Sequence, residues 1–161
     1  RCMRTFTDNA NRTWTLNLTI DAVKRVRSLL DVNLLELDAG DPPLLSRLGT
    51  DVILLCDCIF AMVKPQADAA NVSDEQFAAA LGGDAILAAQ TAFYEELVDF
   101  FRRAGRADLA AALDVQKKMI EMAVIKVETR IEDLDLEAAL ETTFGKASTN
   151  LPPSPVSIRD P

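Results

Sequence analysis

Residues 4–8 and 12–19 alternate between apolar and polar positions. Phe6 is apolar in the first run. In the second, Trp14, Leu16 and Leu18 share one face, while Thr13, Thr15, Asn17 and Thr19 share the other. A period of two with β-branched and aromatic residues is the signature of a strand. Asp8-Asn9-Ala10-Asn11 between the runs tolerates left-handed turn geometry, so a β-hairpin over residues 3–19 is predicted. An isolated hairpin is barely stable, and Phe6, Trp14, Leu16 and Leu18 must lie against something. Their own helices are one candidate. A strand of another chain is the other, if an edge stays open.

After Thr19, a helix-capping residue, the period changes to that of a helix. Ile20, Val23, Val26 and Leu30 form a stripe, with Lys24, Arg25 and Arg27 off it. Asp38-Ala39-Gly40-Asp41-Pro42-Pro43 breaks the chain. A short helix from Pro43 to Leu48 follows, then an apolar helix over 51–64 that Thr50 caps and Pro65 ends. Ser73 with Gln76 makes a capping box for a helix through Leu81, and Gly82-Gly83 ends it. The pattern then predicts a helix over 84–104 with Gly105 beyond its C-terminus, and a long helix over 107–132 with a weak continuation to Phe144. In the long helix Leu113, Ile120, Val127 and Leu134 recur every seven residues, with Val124 and Ile131 between them. That is a seam for antiparallel packing on the preceding helix, interrupted early by Lys117 and Lys118. From Gly145 the chain turns to Ser, Thr, Asn and Pro, a composition that builds no core.

The fold expected is therefore mainly α: an N-terminal β-hairpin, a helical bundle of about five to six helices and a Pro/Ser-rich C-terminal tail. Residues 1–145 form a single domain on this reading, with hairpin 3–19 and bundle 20–145, and residues 146–161 are an extended tail. A chain of 161 residues is long enough for such a core. The longest apolar run, Val52 to Val63, is too short to cross a bilayer and contains Asp57, so it reads as a core helix.

Composition then narrows the chemistry. The chain has no histidine, which excludes Ser–His–Asp and Cys–His catalysis and all His-ligated metal sites. Cys56 and Cys58 sit two apart, pointing apart on a helix, and read as unpaired thiols in a reducing environment. Glu95, Glu96 and Asp99, and the carboxylates from Glu128 to Glu141, read as solvated helix faces. No Walker-type phosphate loop is present. No enzyme activity, cofactor or metal is expected.

The net charge is −8, distributed in blocks: +4 over residues 1–30, −11 over 31–101, +3 over 102–118, −5 over 119–145 and +1 in the tail. Block charge favours oriented protein association, and an acidic total disfavours nucleic acid. Lys24, Arg25 and Arg27 are the one concentrated basic region. They serve protein contacts, or, on a less favoured reading, a small nucleic-acid-binding regulator.

The string Arg4-Thr5-Phe6-Thr7-Asp8-Asn9-Ala10-Asn11-Arg12-Thr13-Trp14-Thr15-Leu16, running into Asp21-Ala22-Val23-Lys24-Arg25-Val26, resembles the N-terminal part of a group of small phage tail proteins. Lys64-Pro65-Gln66-Ala67-Asp68 to Gly83-Asp84-Ala85, and Glu95 to Phe101, are similar to the same group. These are the tail assembly chaperones of long-tailed bacteriophages. The resemblance implies a non-catalytic protein of the host bacterial cytoplasm that binds the tape measure protein, keeps it soluble and helps recruit tail tube subunits, self-associating as it does so. A structural virion protein for head–tail joining or tail completion is the alternative. A tape measure segment is a long apolar or amphipathic helix, and masking it requires an adaptable groove. Phe60 and Met62 of the apolar helix, and Ile120, Val124, Val127 and Ile131 of the seam, are expected to line one. Phe6, Trp14, Leu16 and Leu18 of the hairpin, with Lys24, Arg25 and Arg27, are the other expected contacts. No membrane partner is expected.

Overall fold

Alternation over the first nineteen residues produces a short antiparallel hairpin, β1 (Arg4–Thr7) and β2 (Thr13–Leu16), in which Phe6 faces Trp14 and Arg4 faces Leu16. The computed structural model describes residues 3–132. Six helices follow the hairpin among the described residues: α1 (Ile20–Leu30), α2 (Leu44–Thr50), α3 (Val52–Ala69), α4 (Asp74–Ala79), α5 (Asp84–Arg103) and α6 (Ala107–Glu132). The mainly helical class with an N-terminal hairpin is thus what the chain adopts. A first compact unit runs through Ile120, and α6 from Glu121 to Glu132 belongs to a second. The expected domain end at residue 145, the tail 146–161 and the continuation of α6 to Phe144 lie outside the described residues.

The hairpin lies on α5, chiefly through β1, with β2 against α3. Phe6, Trp14, Leu16 and Leu18 are all buried. Edge-to-face contacts join Trp14 and Phe6 to Phe77 of α4, with ring centroids 5.3 and 6.4 Å away. Each buried side chain of this size contributes roughly 1.5–3 kcal/mol. Those four residues are therefore core, and a partner reaches them only if the hairpin opens.

A carboxylate organises the turn. Asp8, itself buried, accepts hydrogen bonds from Trp14 Nε1 (2.9 Å), Arg12 Nε (2.8 Å) and the backbone N–H groups of Ala10 and Arg12. Burial alone would raise its pKa, but those bonds outweigh it and hold the carboxyl below its ordinary range. Asn11 supplies the left-handed turn residue, at φ 59°.

Helix ends follow mostly local signals. Thr19 caps α1, accepting from Ala22 N–H, and Ser73 and Gln76 form the reciprocal capping box of α4. Two expectations need correction. Asp51, not Thr50, caps α3, because its carboxylate reaches Leu54 N–H while the Thr50 hydroxyl turns back to Ser46 O. Pro65 does not end α3, which continues to Ala69. A proline lacks the N–H that would bond the carbonyl four residues earlier, here Ala61. Arg25 of α1 replaces it: its Nη1 donates to Ala61 O and Met62 O, each at 3.2 Å. The extra turn carries Gln66 to β2, where its amide both accepts from Thr15 N–H (3.0 Å) and donates to Thr15 O (2.7 Å). A side chain thus closes the sheet edge at Thr15, where another strand would otherwise add.

The acidic group on α5 is not simply solvated. Glu96 is 1% exposed and accepts from Leu18 N–H, while Glu95 and Asp99 pair with Arg4 and Glu95 with Lys117. The bridge from Lys117 to Glu95 (2.9 Å) ties the part of α6 before Glu121 to α5 after the left-handed turn at Gly105, and explains why a lysine is tolerated in the seam. Leu113 is fully buried and Ile120 packs on the edge of the core.

Tyr94 is fully buried and its hydroxyl makes no hydrogen bond among the described residues. Tyr94→Phe is expected to raise stability by about 1 kcal/mol, because a buried polar group without a partner opposes folding. A urea melt with an unchanged slope and a higher midpoint is the expected result; a lower midpoint would contradict it.

Candidate partner-binding groove

α1 and α3 run antiparallel: Leu29 and Leu30 lie beside Asp57, Phe60 and Ala61, while Asp21 and Arg25 lie beside Lys64, Pro65 and Asp68. Arg25 clamps them together through the α3 carbonyls. The helices do not fill the space between their outer faces. Two adjoining hollows of about 220 and 470 Å³, sharing Leu29 and Lys64, form one open groove. From Asp57 to Asp68 it follows α3 for roughly 17 Å, about three helical turns.

Its floor is apolar. Ala61 is buried, Phe60 and Leu30 are half-buried, and Leu29, in the last turn of α1, is 50% exposed although it lies beside α3. The Phe60 ring rests on Phe77 at 5.2 Å, which fixes its position. The rim is charged and unevenly paired. Arg25 bridges Asp21 across one turn of α1, and Lys64 Nζ binds both oxygens of Asp68 (2.8 and 3.1 Å). At the opposite end Asp57 and Asp74 face the smaller hollow without a cation or hydrogen-bond donor on either carboxylate among the described residues. Burial, then the charges of Asp74 and Asp51, push the Asp57 carboxyl above its ordinary range.

Of the residues expected to touch a partner, the structure brings Lys24 and Phe60 to this groove. Arg25 lies there too, but its guanidinium is engaged by the α3 carbonyls and Asp21. Arg27 faces a separate hollow of about 300 Å³ with Asp31, Glu36 and Arg47, so the three basic residues do not make one surface. Met62 is buried core, as are Phe6, Trp14, Leu16 and Leu18. Ile120 and Val124 are half-buried, and the side chains of Val127 and Ile131 lie outside the described residues. The α6 side chains that stand out in the first unit are instead Val115 and Met119, both more than half exposed.

Sequence reasoning missed Leu29, Ala61, Asp57 and Asp74 as lining residues. Two signals were available: Leu29 is an apolar residue off the core stripe of α1, and Asp57 interrupts the longest apolar run.

Cys58 is fully buried, and burial together with Asp57 pushes its thiol up to about 12, while Cys56 is raised for the same reasons. Neither supplies a thiolate at neutral pH. Among the described residues no group of three or more Cys, Asp or Glu side chains is placed to hold a metal ion, and no helix is long and apolar enough to cross a membrane. No protein family, curated protein or solved structure matches the chain.

Asp57 carries a charge that the free fold disfavours, so Asp57→Asn is expected to raise the melting temperature at pH 7. The sign follows from the raised pKa. The opposing contribution is fully present above the folded pKa and absent once both states are protonated, so the gain fades as the pH falls through the raised folded pKa and is essentially gone below about 4. Asp74 and Asp51 oppose the charge, and Lys64, two turns along α3, is held by Asp68. Thermal melts of both proteins from pH 3.5 to 7.5 check this; a loss of stability at neutral pH would contradict it.

Proposed function

We propose that this chain is a non-catalytic, tail assembly chaperone-like protein that holds a helical segment of a tape measure protein in the α1–α3 groove. The observation that carries the reading is the half-exposed Leu29 beside Phe60 and Ala61, an apolar trough about three turns long within a charged rim. A bare amphipathic helix aggregates through its apolar face, and a trough of this kind covers that face while the rim stays hydrated. Charges at the rim rather than across the floor favour exchangeable binding, as required of a chaperone displaced when the tube polymerises. Recruitment of tail tube subunits, self-association and a place in the host bacterial cytoplasm follow from the N-terminal and central sequence resemblance and belong to the same proposal.

Co-expression tests it. A tape measure protein of a long-tailed phage co-expressed with this chain is expected to move from the pellet into the soluble fraction, and to return to the pellet with Leu29→Glu. That variant places a carboxylate on an already exposed position, so the fold is preserved. Equal insolubility with and without the wild-type chain would overturn the proposal.

A further inference from the structure

We infer that the segment docking in the α1–α3 groove is a helix that sets a lysine or arginine beside Asp57 and Asp74 and apolar side chains over Leu29 and Phe60. The inference rests on the groove being the partner site and adds the chemistry of what it takes. The two ends of the groove differ. Where α1 begins, each acid already has its base, Asp21 with Arg25 and Asp68 with Lys64. Where α1 ends, Asp57 and Asp74 share the mouth of a hollow of about 220 Å³ and neither forms an ion pair among the described residues, Lys64, which also lines that hollow, being held by Asp68.

The walls beneath those carboxylates select a basic side chain rather than a bare ion. Leu29, Leu30, Phe60 and Ala61 offer no oxygen ligands, and a metal would find only two carboxylates there. A lysine or arginine has both parts that the hollow asks for: a methylene stem to cover Phe60 and Leu30, and a charged head to reach the acids. Burial and the neighbouring acids Asp74 and Asp51 oppose a charge on Asp57, and a cation brought by the ligand relieves that opposition. At the far end Lys24, exposed on the groove wall, favours an acidic or neutral residue in the same segment. The occupant is thus asymmetric in charge along its length, and docks in one direction.

Two labelled helical peptides of about 15 residues test this, identical in their leucine and alanine face, one with arginine at the position facing the acids and one with glutamine there. Fluorescence anisotropy is expected to show roughly three- to tenfold tighter binding of the arginine peptide, declining with salt. That advantage should vanish in the variant carrying Asp57→Asn and Asp74→Asn, whereas Leu29→Glu weakens both peptides. Equal affinity for the two peptides, or an arginine preference that survives the double variant, overturns the inference; sensitivity to Leu29→Glu would then still leave the groove as the partner site. Absence of binding by either peptide, or binding indifferent to all three substitutions, overturns both.

Discussion

The contact between Arg25 and the carbonyls of Ala61 and Met62 sets much of the rest. A proline in the last third of a helix leaves one carbonyl without its internal donor, and such a group, when part-buried, costs about 1–3 kcal/mol. The guanidinium of Arg25 removes that cost by donating across the interface, and in doing so fixes α1 against α3 at a single register. Two consequences follow. The helix continues for a turn beyond Pro65, which delivers Gln66 to the backbone of Thr15 and seals the hairpin edge. The same register leaves Leu29 and Phe60 on either side of a trough that no other described element covers.

Local rules made the helix boundaries legible. The Ser73–Gln76 box, the Thr19 cap and the change from period two to period 3.6 each act within one turn, so a single sequence displays them. Pro65 reads locally as a helix end because its usual effect is cancelled by a residue forty positions earlier, and nothing in the local pattern announces a donor supplied from another helix. Glu96 was similarly hidden. Carboxylates in a row read as a wet face, yet this one turns inward to take the N–H of Leu18, a group left without a strand partner where β2 ends. The apolar residues of the hairpin were legible as a buried face, and the open question of what buried them has a plain answer in α5, α3 and Phe77.

The groove itself was only half visible. Phe60 and Lys24 stand out by type and charge, while Leu29 and Asp57 are each an exception to a pattern: an apolar residue on a polar face, and a charge in an apolar run. Where neighbouring choices agree on one fold, the residues that disagree are the ones to ask about. Asp57 and Leu29 disagree in opposite senses, one too polar and one too apolar for its place, and the fold puts them in the same hollow. A partner that is apolar with a basic group resolves both.

The interaction on which these relations depend is best measured by a double-mutant cycle between Arg25→Met and Pro65→Ala, read by urea unfolding. With Pro65 present, loss of the guanidinium strands the Ala61 carbonyl; with alanine at 65, the restored N–H bonds it from within the helix. Arg25→Met should therefore destabilise the protein by about 1–3 kcal/mol alone and by much less beside Pro65→Ala, a coupling of about 1 kcal/mol or more. The exposed bridge from Arg25 to Asp21 is lost in both backgrounds and cancels. Strict additivity of the two substitutions would contradict the role assigned to Arg25.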